Sequence, residues 1–175
     1  MMNSNRIKEA ENNFKRYMED RLITKTSNKI SQAIFIKNAN ESLKAAQLMF
    51  ENNISLWTIV SSYYSMFYMV NAVLLNFEYK MGDKIVHKVT ADALIVIIRP
   101  KLKKYILEDY EEIKDQALQL AEVKSDELVQ NFDYERNKRN KIQYQTTNLD
   151  IYNNAKTSLI RAKEFLFEIE KLLIL

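Results

Sequence analysis

Residues 52–77, NNISLWTIVSSYYSMFYMVNAVLLNF, decide the fold of this chain. The stretch holds no Asp, Glu, Lys or Arg, and its apolar residues form two adjacent stripes at helical spacing. A helix that is apolar on most of its circumference either spans a bilayer or lies at the centre of a bundle. Serines, Asn71 and three tyrosines interrupt the stretch, and the mean hydropathy of the chain is −0.35. We therefore predict a central bundle helix and no membrane span.

Amphipathic patterns on both sides supply helices to surround this one. The last pattern places apolar residues three and four apart over residues 152–173, with Asp150 as the candidate N-cap. An earlier pattern predicts a helix over about residues 27–52. The start of the chain, residues 1–26, has apolar residues at helical spacing as well. We expect it to be a packing helix, with a partner-binding arm as the alternative.

The middle of the chain predicts further helices. Gly82 can end the region of the central helix, and Asp83 can cap the next helix. The β-branched run 95–98 suits a strand, but a solitary strand leaves its backbone unpaired, so we predict a helix that ends near Pro100. A further helical face follows over residues 110–132, with an optional break at residues 124–125.

These patterns together predict an all-α fold. We expect an antiparallel up-and-down bundle of four to five helices plus an N-terminal helix. The predicted organisation is an N-terminal helical extension over residues 1–26 and a bundle over residues 27–175. One glycine and one proline in 175 residues also supply too few turns for a β-sandwich or barrel.

The scarce residue types exclude several functions. The chain has no Cys, one His and one Gly, so it has no zinc ribbon, no two-histidine metal site, no P-loop and no dinucleotide-binding turn. We predict neither a metal nor a cofactor. The net charge of +3 argues against indiscriminate coating of nucleic acid. The absence of Cys and the charged start without a signal-like apolar region lead us to expect a cytoplasmic location.

The densest basic cluster is the candidate binding site for nucleic acid or a nucleotide. Arginine forks suit phosphate oxygens, while amides and tyrosines can bond to or stack on bases. The alternative interpretation is a solvated helix end, where cations complement the helix dipole. The candidate binding residues are Arg136, Lys138, Arg139, Asn140, Lys141 and Tyr144.

His87 is the one side chain of the sequence with an unperturbed pKa near neutrality, so it is a candidate general acid or base. The sequence places it in the first turn of the helix that follows Asp83. A lone histidine there is more often hydrogen-bonded or exposed than catalytic. A serine nucleophile is disfavoured, because there is only one histidine to act as its base. Tyr63 and Tyr64 are expected to bury their rings and direct their hydroxyls to polar partners.

Several motifs resemble HEPN (higher eukaryotes and prokaryotes nucleotide-binding) domains. SSYYSMFY at residues 61–68 is similar to the family's Ser-x-x-Tyr-Tyr-x-Met-Phe run, with the tyrosine pair one position earlier. ESLKAA at residues 41–46 resembles its first-helix segment, and AKEFL at residues 162–166 fits its closing helix. His87 stands where one prokaryotic branch has a histidine, and RNKIQY at residues 139–144 resembles that branch's Arg-x-x-Ala-Asp-Tyr motif. The resemblance extends from about residue 27 to the C-terminus and is weakest over residues 101–131.

The resemblance implies a helical bundle that usually dimerises. Many HEPN domains are metal-independent RNases in toxin–antitoxin, CRISPR or phage-defence systems, and others are noncatalytic partners of minimal nucleotidyltransferases. In the RNases, an Arg-polar-x-x-x-His motif from each copy meets across the dimer, where arginine holds phosphate and histidine assists proton transfer. Arg139 and Asn140 match the first two positions, but Tyr144 stands at the histidine position.

Three functions follow as hypotheses. The first is a dimeric RNA- or nucleotide-binding module of a toxin–antitoxin or defence pair, with a degenerate RNase motif. The second is a metal-independent RNase whose catalytic residues are Arg139 with Tyr144 or His87. The third is a noncatalytic docking partner of a minimal nucleotidyltransferase, with Tyr144 as a nucleotidylation acceptor. A phenol with a pKa near 10 is a poor base at neutral pH, which favours the first hypothesis over the second.

Overall fold

The structure, a computed structural model, describes residues 4–134 and 148–173, with side chains at residues 4–121 and 150–173. These residues form a helical bundle with one small sheet. The elements in chain order are α1 Ser4–Glu19, β1 Ile23–Lys25, α2 Lys29–Glu51, α3 Ser55–Asn76, β2 Tyr79–Met81, α4 Val86–Ala93, α5 Lys104–Tyr134 and α6 Asn148–Glu170. A π-helical turn, Leu94–Ile98, and a 3-10 turn, Arg99–Lys101, follow α4, and a 3-10 turn, Lys171–Leu173, follows α6. The predicted all-α class is confirmed.

Helix α3 is the centre of the bundle. It packs against α2, α5 and α6, and most of its residues are buried. Among the described residues, α3 is the one helix long and apolar enough to cross a membrane, but 83% of its most apolar window is buried inside the protein. Because its neighbours cover most of its surface, α3 is the central bundle helix that the pattern of residues 52–77 predicts.

Helix α2 begins and ends close to its predicted bounds. The Asn28 side chain accepts a hydrogen bond from the Ser31 backbone N–H at 2.9 Å, which satisfies one of the free donors of the first turn. At the other end, Asn53 adopts a left-handed φ of 59°, and the Ile54 N–H donates to the Met49 carbonyl at 2.8 Å. Asparagine tolerates this conformation, so the chain reverses tightly into α3.

The two strands form an antiparallel pair that the sequence analysis did not predict. Ile23 lies opposite Met81, and the Gly82 N–H donates to the Leu22 carbonyl at 2.8 Å. A Cβ atom at position 82 would lie 3.3 Å from the same Leu22 oxygen, closer than most side chains tolerate. The single glycine of the sequence therefore stands where two backbones approach each other closely.

Two predicted helix caps are wrong. The N-cap of α4 is Ile85, which has a left-handed φ of 43° and no side-chain cap bond, so Asp83 lies outside the helix. Helix α6 begins at Asn148, so Asp150 lies in its first turn and not at its cap. A carboxylate there still faces the positive end of the helix dipole.

The structure answers two questions that the sequence left open: whether residues 95–98 are helical, and whether the next helix breaks at residues 124–125. The β-branched run is helical, as predicted, and forms the π-helical turn before Pro100. Pro100 has no N–H, and the Ile95 carbonyl instead accepts from the Arg99 Nε at 3.2 Å. The backbone of α5, Lys104–Tyr134, runs without a break at residues 124–125.

Helix α1 is held to the bundle through a buried carboxylate. It packs on α4 and the π-helical turn, and the Asp92 side chain beneath it is fully buried. The Arg6 Nη1 donates to one oxygen of Asp92 at 2.6 Å. The Asn13 amide and the Tyr17 hydroxyl donate to the other oxygen at 3.0 and 3.1 Å. A buried carboxylate requires such donors, and here all three come from α1.

We expect Asp92→Ala to lower the free energy of unfolding by about 3 kcal/mol, because it leaves the charge of Arg6 without its main partner. The Arg6 side chain keeps a quarter of its surface exposed, which places the loss near the lower end for buried pairs. Urea unfolding followed by circular dichroism measures the loss.

Asp83→Ala, at an exposed aspartate, is the matched control and should change stability by less than about 0.5 kcal/mol. Asp92→Asn keeps the shape of the side chain, and it replaces the alanine variant in the unfolding measurement if that variant does not fold. Equal stabilities of the Asp92 and Asp83 variants would contradict the role of the buried carboxylate.

Candidate functional site

The basic cluster predicted to bind nucleic acid or a nucleotide lies outside the residues whose side chains the structure describes. The residues of that prediction are Arg136, Lys138, Arg139, Asn140, Lys141 and Tyr144. Their roles stay predictions. The remaining predicted site residue, His87, is described, and the structure shows what surrounds it.

His87 lies in the first turn of α4, as predicted, and contacts three aromatic rings of α3. Its ring centroid is 4.7 Å from that of Phe67, 5.5 Å from that of Tyr63 and 5.7 Å from that of Tyr64. The tyrosines and phenylalanine are brought together because residues three and four apart share one face of a helix. We call these four residues the His87 cluster.

A hydrogen bond fixes the imidazole within the His87 cluster. The Tyr63 hydroxyl lies 2.8 Å from the His87 Nδ1, so one ring nitrogen is already engaged. Tyr63 is fully buried, as predicted, and burial raises its pKa well above the usual value of 10. The phenol therefore stays protonated at neutral pH, and its polar partner is the histidine.

The environment of His87 favours the neutral imidazole. Burial is the main cause that lowers its pKa below the usual 6.5, and the positive charge of Lys114 on α5 lowers the pKa further. A neutral imidazole does not attract phosphate through charge. The hydrogen bond to Tyr63 and the three ring contacts give the imidazole a structural role between α3 and α4.

A chain of ionic contacts leads from Lys114 to α1. The Lys114 Nζ lies 3.1 Å from the Glu111 Oε2, and the same oxygen lies 3.5 Å from the Arg6 Nε. Arg6 in turn pairs with Asp92. The other Glu111 oxygen, Oε1, is buried and has no hydrogen-bond partner in the described part of the chain. This series of ionic contacts links α1, α4 and α5 beside the His87 cluster.

Sequence reasoning missed most of these partners. Arg6, Glu111 and Lys114 lie on helices far apart in the sequence, and no local pattern links them to His87. Asp92 did carry a signal, because it is the one acid in the apolar stretch VTADALIVII of residues 89–98. A charged residue in a buried helix face needs a partner, so the position predicts a donor from another helix.

The described residues do not join His87 to a phosphate-binding site. The described charged group that acts on His87 is Lys114 of α5. Among the described residues, no group of three or more His, Cys, Asp or Glu side chains is placed to hold a metal ion. Within the described residues, the contacts of the His87 cluster are ring packing and the hydrogen bond to Tyr63.

We expect the stability of the protein to fall as the pH drops below about 6.5, because the unfolded chain then binds a proton that the folded His87 binds less readily. The loss stops once the pH passes the lowered pKa of the folded state. Urea unfolding at steps between pH 7.5 and 5.5 measures the loss.

The variant His87→Gln should lose this component of the pH dependence, because the chain has no other histidine. An NMR titration of the imidazole gives the folded pKa directly. A folded pKa at or above 6.5 would contradict the described environment.

The comparisons identify the family of the chain. Residues 33–172 match the HEPN domain, a span that includes α3, α4, α5, α6 and nearly all of α2. None of the curated proteins matches the chain. The family match supports a nucleotide-binding or RNase-like module in general terms. Because the match covers most of the chain, the chain belongs to the HEPN domain family.

Proposed function

We propose that this chain is an RNA- or nucleotide-binding HEPN module without RNase activity of its own. The observation that carries the proposal is the state of His87. It is the single histidine of the sequence, its Nδ1 lies 2.8 Å from the Tyr63 hydroxyl, and burial lowers its pKa below the usual 6.5. General acid–base help contributes about 10²–10⁴-fold to catalysis, and the one imidazole of the sequence is held by Tyr63 while tyrosine replaces histidine in the motif, which supports binding over cleavage.

The binding residues of the proposal are Arg139, Asn140 and Tyr144. Arginine presents a fork of N–H donors that matches phosphate oxygens, and it keeps its charge at all physiological pH values. The asparagine amide and the tyrosine hydroxyl add neutral donors and acceptors. The resemblance to the family motif at the first two positions supports this choice, and the tyrosine in place of histidine supports binding without cleavage.

The proposal includes a homodimer and a role in a toxin–antitoxin or defence pair. Both rest on the family, whose nucleolytic members place two motif copies across a dimer. Sedimentation of the purified chain tests the homodimer. Co-purification with the product of a neighbouring nucleotidyltransferase gene tests the role in a pair. A chain that docks such a partner yet binds neither RNA nor ATP is the alternative function that this pair of measurements would reveal.

We expect Arg139→Ala to weaken binding of single-stranded RNA or ATP by at least about tenfold, because a hydrogen bond to a charged group contributes more than a neutral one. Fluorescence polarisation at several salt concentrations measures the loss. For RNA, the slope of log affinity against log salt should become shallower by about 0.7.

Lys44→Ala, at an exposed lysine of α2, is the control for a nonspecific effect of charge and should bind nearly as the wild type does. Equal losses in the two variants, or no binding by the wild type, would contradict the proposed site.

We expect no cleavage of total RNA by the purified protein in the presence of EDTA. Gel electrophoresis with a labelled RNA measures this, and the matched control is the Arg139→Ala variant prepared in the same way. Cleavage that is lost with Arg139→Ala would overturn the binding-only proposal and establish an RNase. If the His87→Gln variant still cleaved RNA, Tyr144 would be the assisting residue. If that variant did not cleave RNA, His87 would be the assisting residue.

A further inference from the structure

The solvent-facing side of α2 carries a depression that nothing among the described residues covers. Ile30, Ala33, Ile34 and Lys37 surround it, and Lys29 lies at its rim. Its volume is about 440 Å³. Ile30 keeps 76% of its surface exposed and Ile34 keeps 52%, which are large fractions for isoleucine.

The spacing of the four surrounding residues suits a helix as the occupant. They stand at positions i, i+3, i+4 and i+7, which is the diamond that accepts one side chain of a facing helix in knobs-into-holes packing. Ala33 has a short side chain and the two isoleucines are apolar, and all three line the depression. A single exposed isoleucine needs no explanation, but two on adjacent turns around a hole form a patch.

The charges around the hole select an acidic partner. Lys29 and Lys37 stand at its two ends, and the first turn of α2 contains no acidic residue. The positive end of the helix dipole adds to these charges. Lys37 lies 3.7 Å from Glu41 in a pair whose side chains are both mostly exposed, and Lys29 forms no ion pair within the described residues.

We propose that this face of α2, Lys29–Lys37, is a docking surface for an acidic amphipathic helix of a partner protein. The partner inserts one branched aliphatic side chain into the hole and sets carboxylates against Lys29 and Lys37. The two lysines lie about 12 Å apart along the axis of α2, so the carboxylates of the partner helix stand about two turns apart. This surface includes none of the residues of the proposed site at Arg139 and does not rest on that proposal.

Two synthetic peptides of about 20 residues test the proposal with the full chain. Both carry the same leucine stripe on a helical pattern, with flanking glutamates in one and flanking lysines in the other. We expect the acidic peptide to bind about tenfold more tightly than the basic one, because two exposed ion pairs form in one case and two repulsive pairs in the other. Fluorescence polarisation measures both affinities.

Variants assign the binding to the hole. Ile34→Glu should weaken binding of the acidic peptide by about tenfold or more, because it places a carboxylate in the apolar wall. Ile160→Glu on α6 is the matched control, since Ile160 is 56% exposed, and it should leave the affinity unchanged. The double variant Lys29→Glu, Lys37→Glu should prefer the basic peptide. Unchanged thermal unfolding confirms that each variant is folded.

Three outcomes would overturn the docking surface. They are equal affinity for the two peptides, equal effects of Ile34→Glu and Ile160→Glu, and a wild-type dimer that Ile34→Glu dissociates. The last would make a second copy of this chain the occupant. RNA binding measured on the same variants separates this proposal from the proposed function, because each variant keeps Arg139 unchanged.

Discussion

The fold depends on the burial of α3. Its uncharged surface must leave water on every side, so α2, α5 and α6 are arranged around it. The burial of α3 includes the hydroxyls of Ser62 and Ser65, which have no hydrogen-bond partner among the described residues. An unsatisfied buried hydroxyl costs about 1–3 kcal/mol, and apolar contacts along the rest of the helix offset that cost. Small side chains at these positions leave room for the neighbouring helices to approach.

The sequence predicted those features that arise from local periodicity. The bounds of α2 and α3, and the helical state of residues 95–98, follow from apolar spacing and from the behaviour of Pro100. The caps at Asp83 and Asp150 were wrong because a side chain suited to capping does not fix where the helix begins. Pairing of β1 with β2 joins segments more than fifty residues apart, and each strand is too short to carry an alternating pattern.

The candidate site was predictable in its residue types and less so in its contacts. The first-turn position of His87 and the burial of Tyr63 follow from the pattern, and the structure confirms both. That these two side chains bond to each other requires the packing angle between α3 and α4, which no local pattern contains. Lys114 lowers the pKa of His87 from a third helix, α5. The hydrogen bonding and the pKa of the imidazole are therefore set by contacts between helices and not by the residues next to it in the sequence.

Helix α1 lies outside the span that matches the family, yet the matched span relies on it. Asp92 is inside residues 33–172, while its donors Arg6, Asn13 and Tyr17 all precede residue 33. A chain beginning at residue 33 would lose both the three donors and the helix that covers Asp92, and it would expose the faces of α4 and the π-helical turn on which α1 packs. Arg6 also contacts Glu111, and through Lys114 that contact reaches the surroundings of His87. In this protein the environment of the single histidine is consequently completed by a helix that the family pattern does not include.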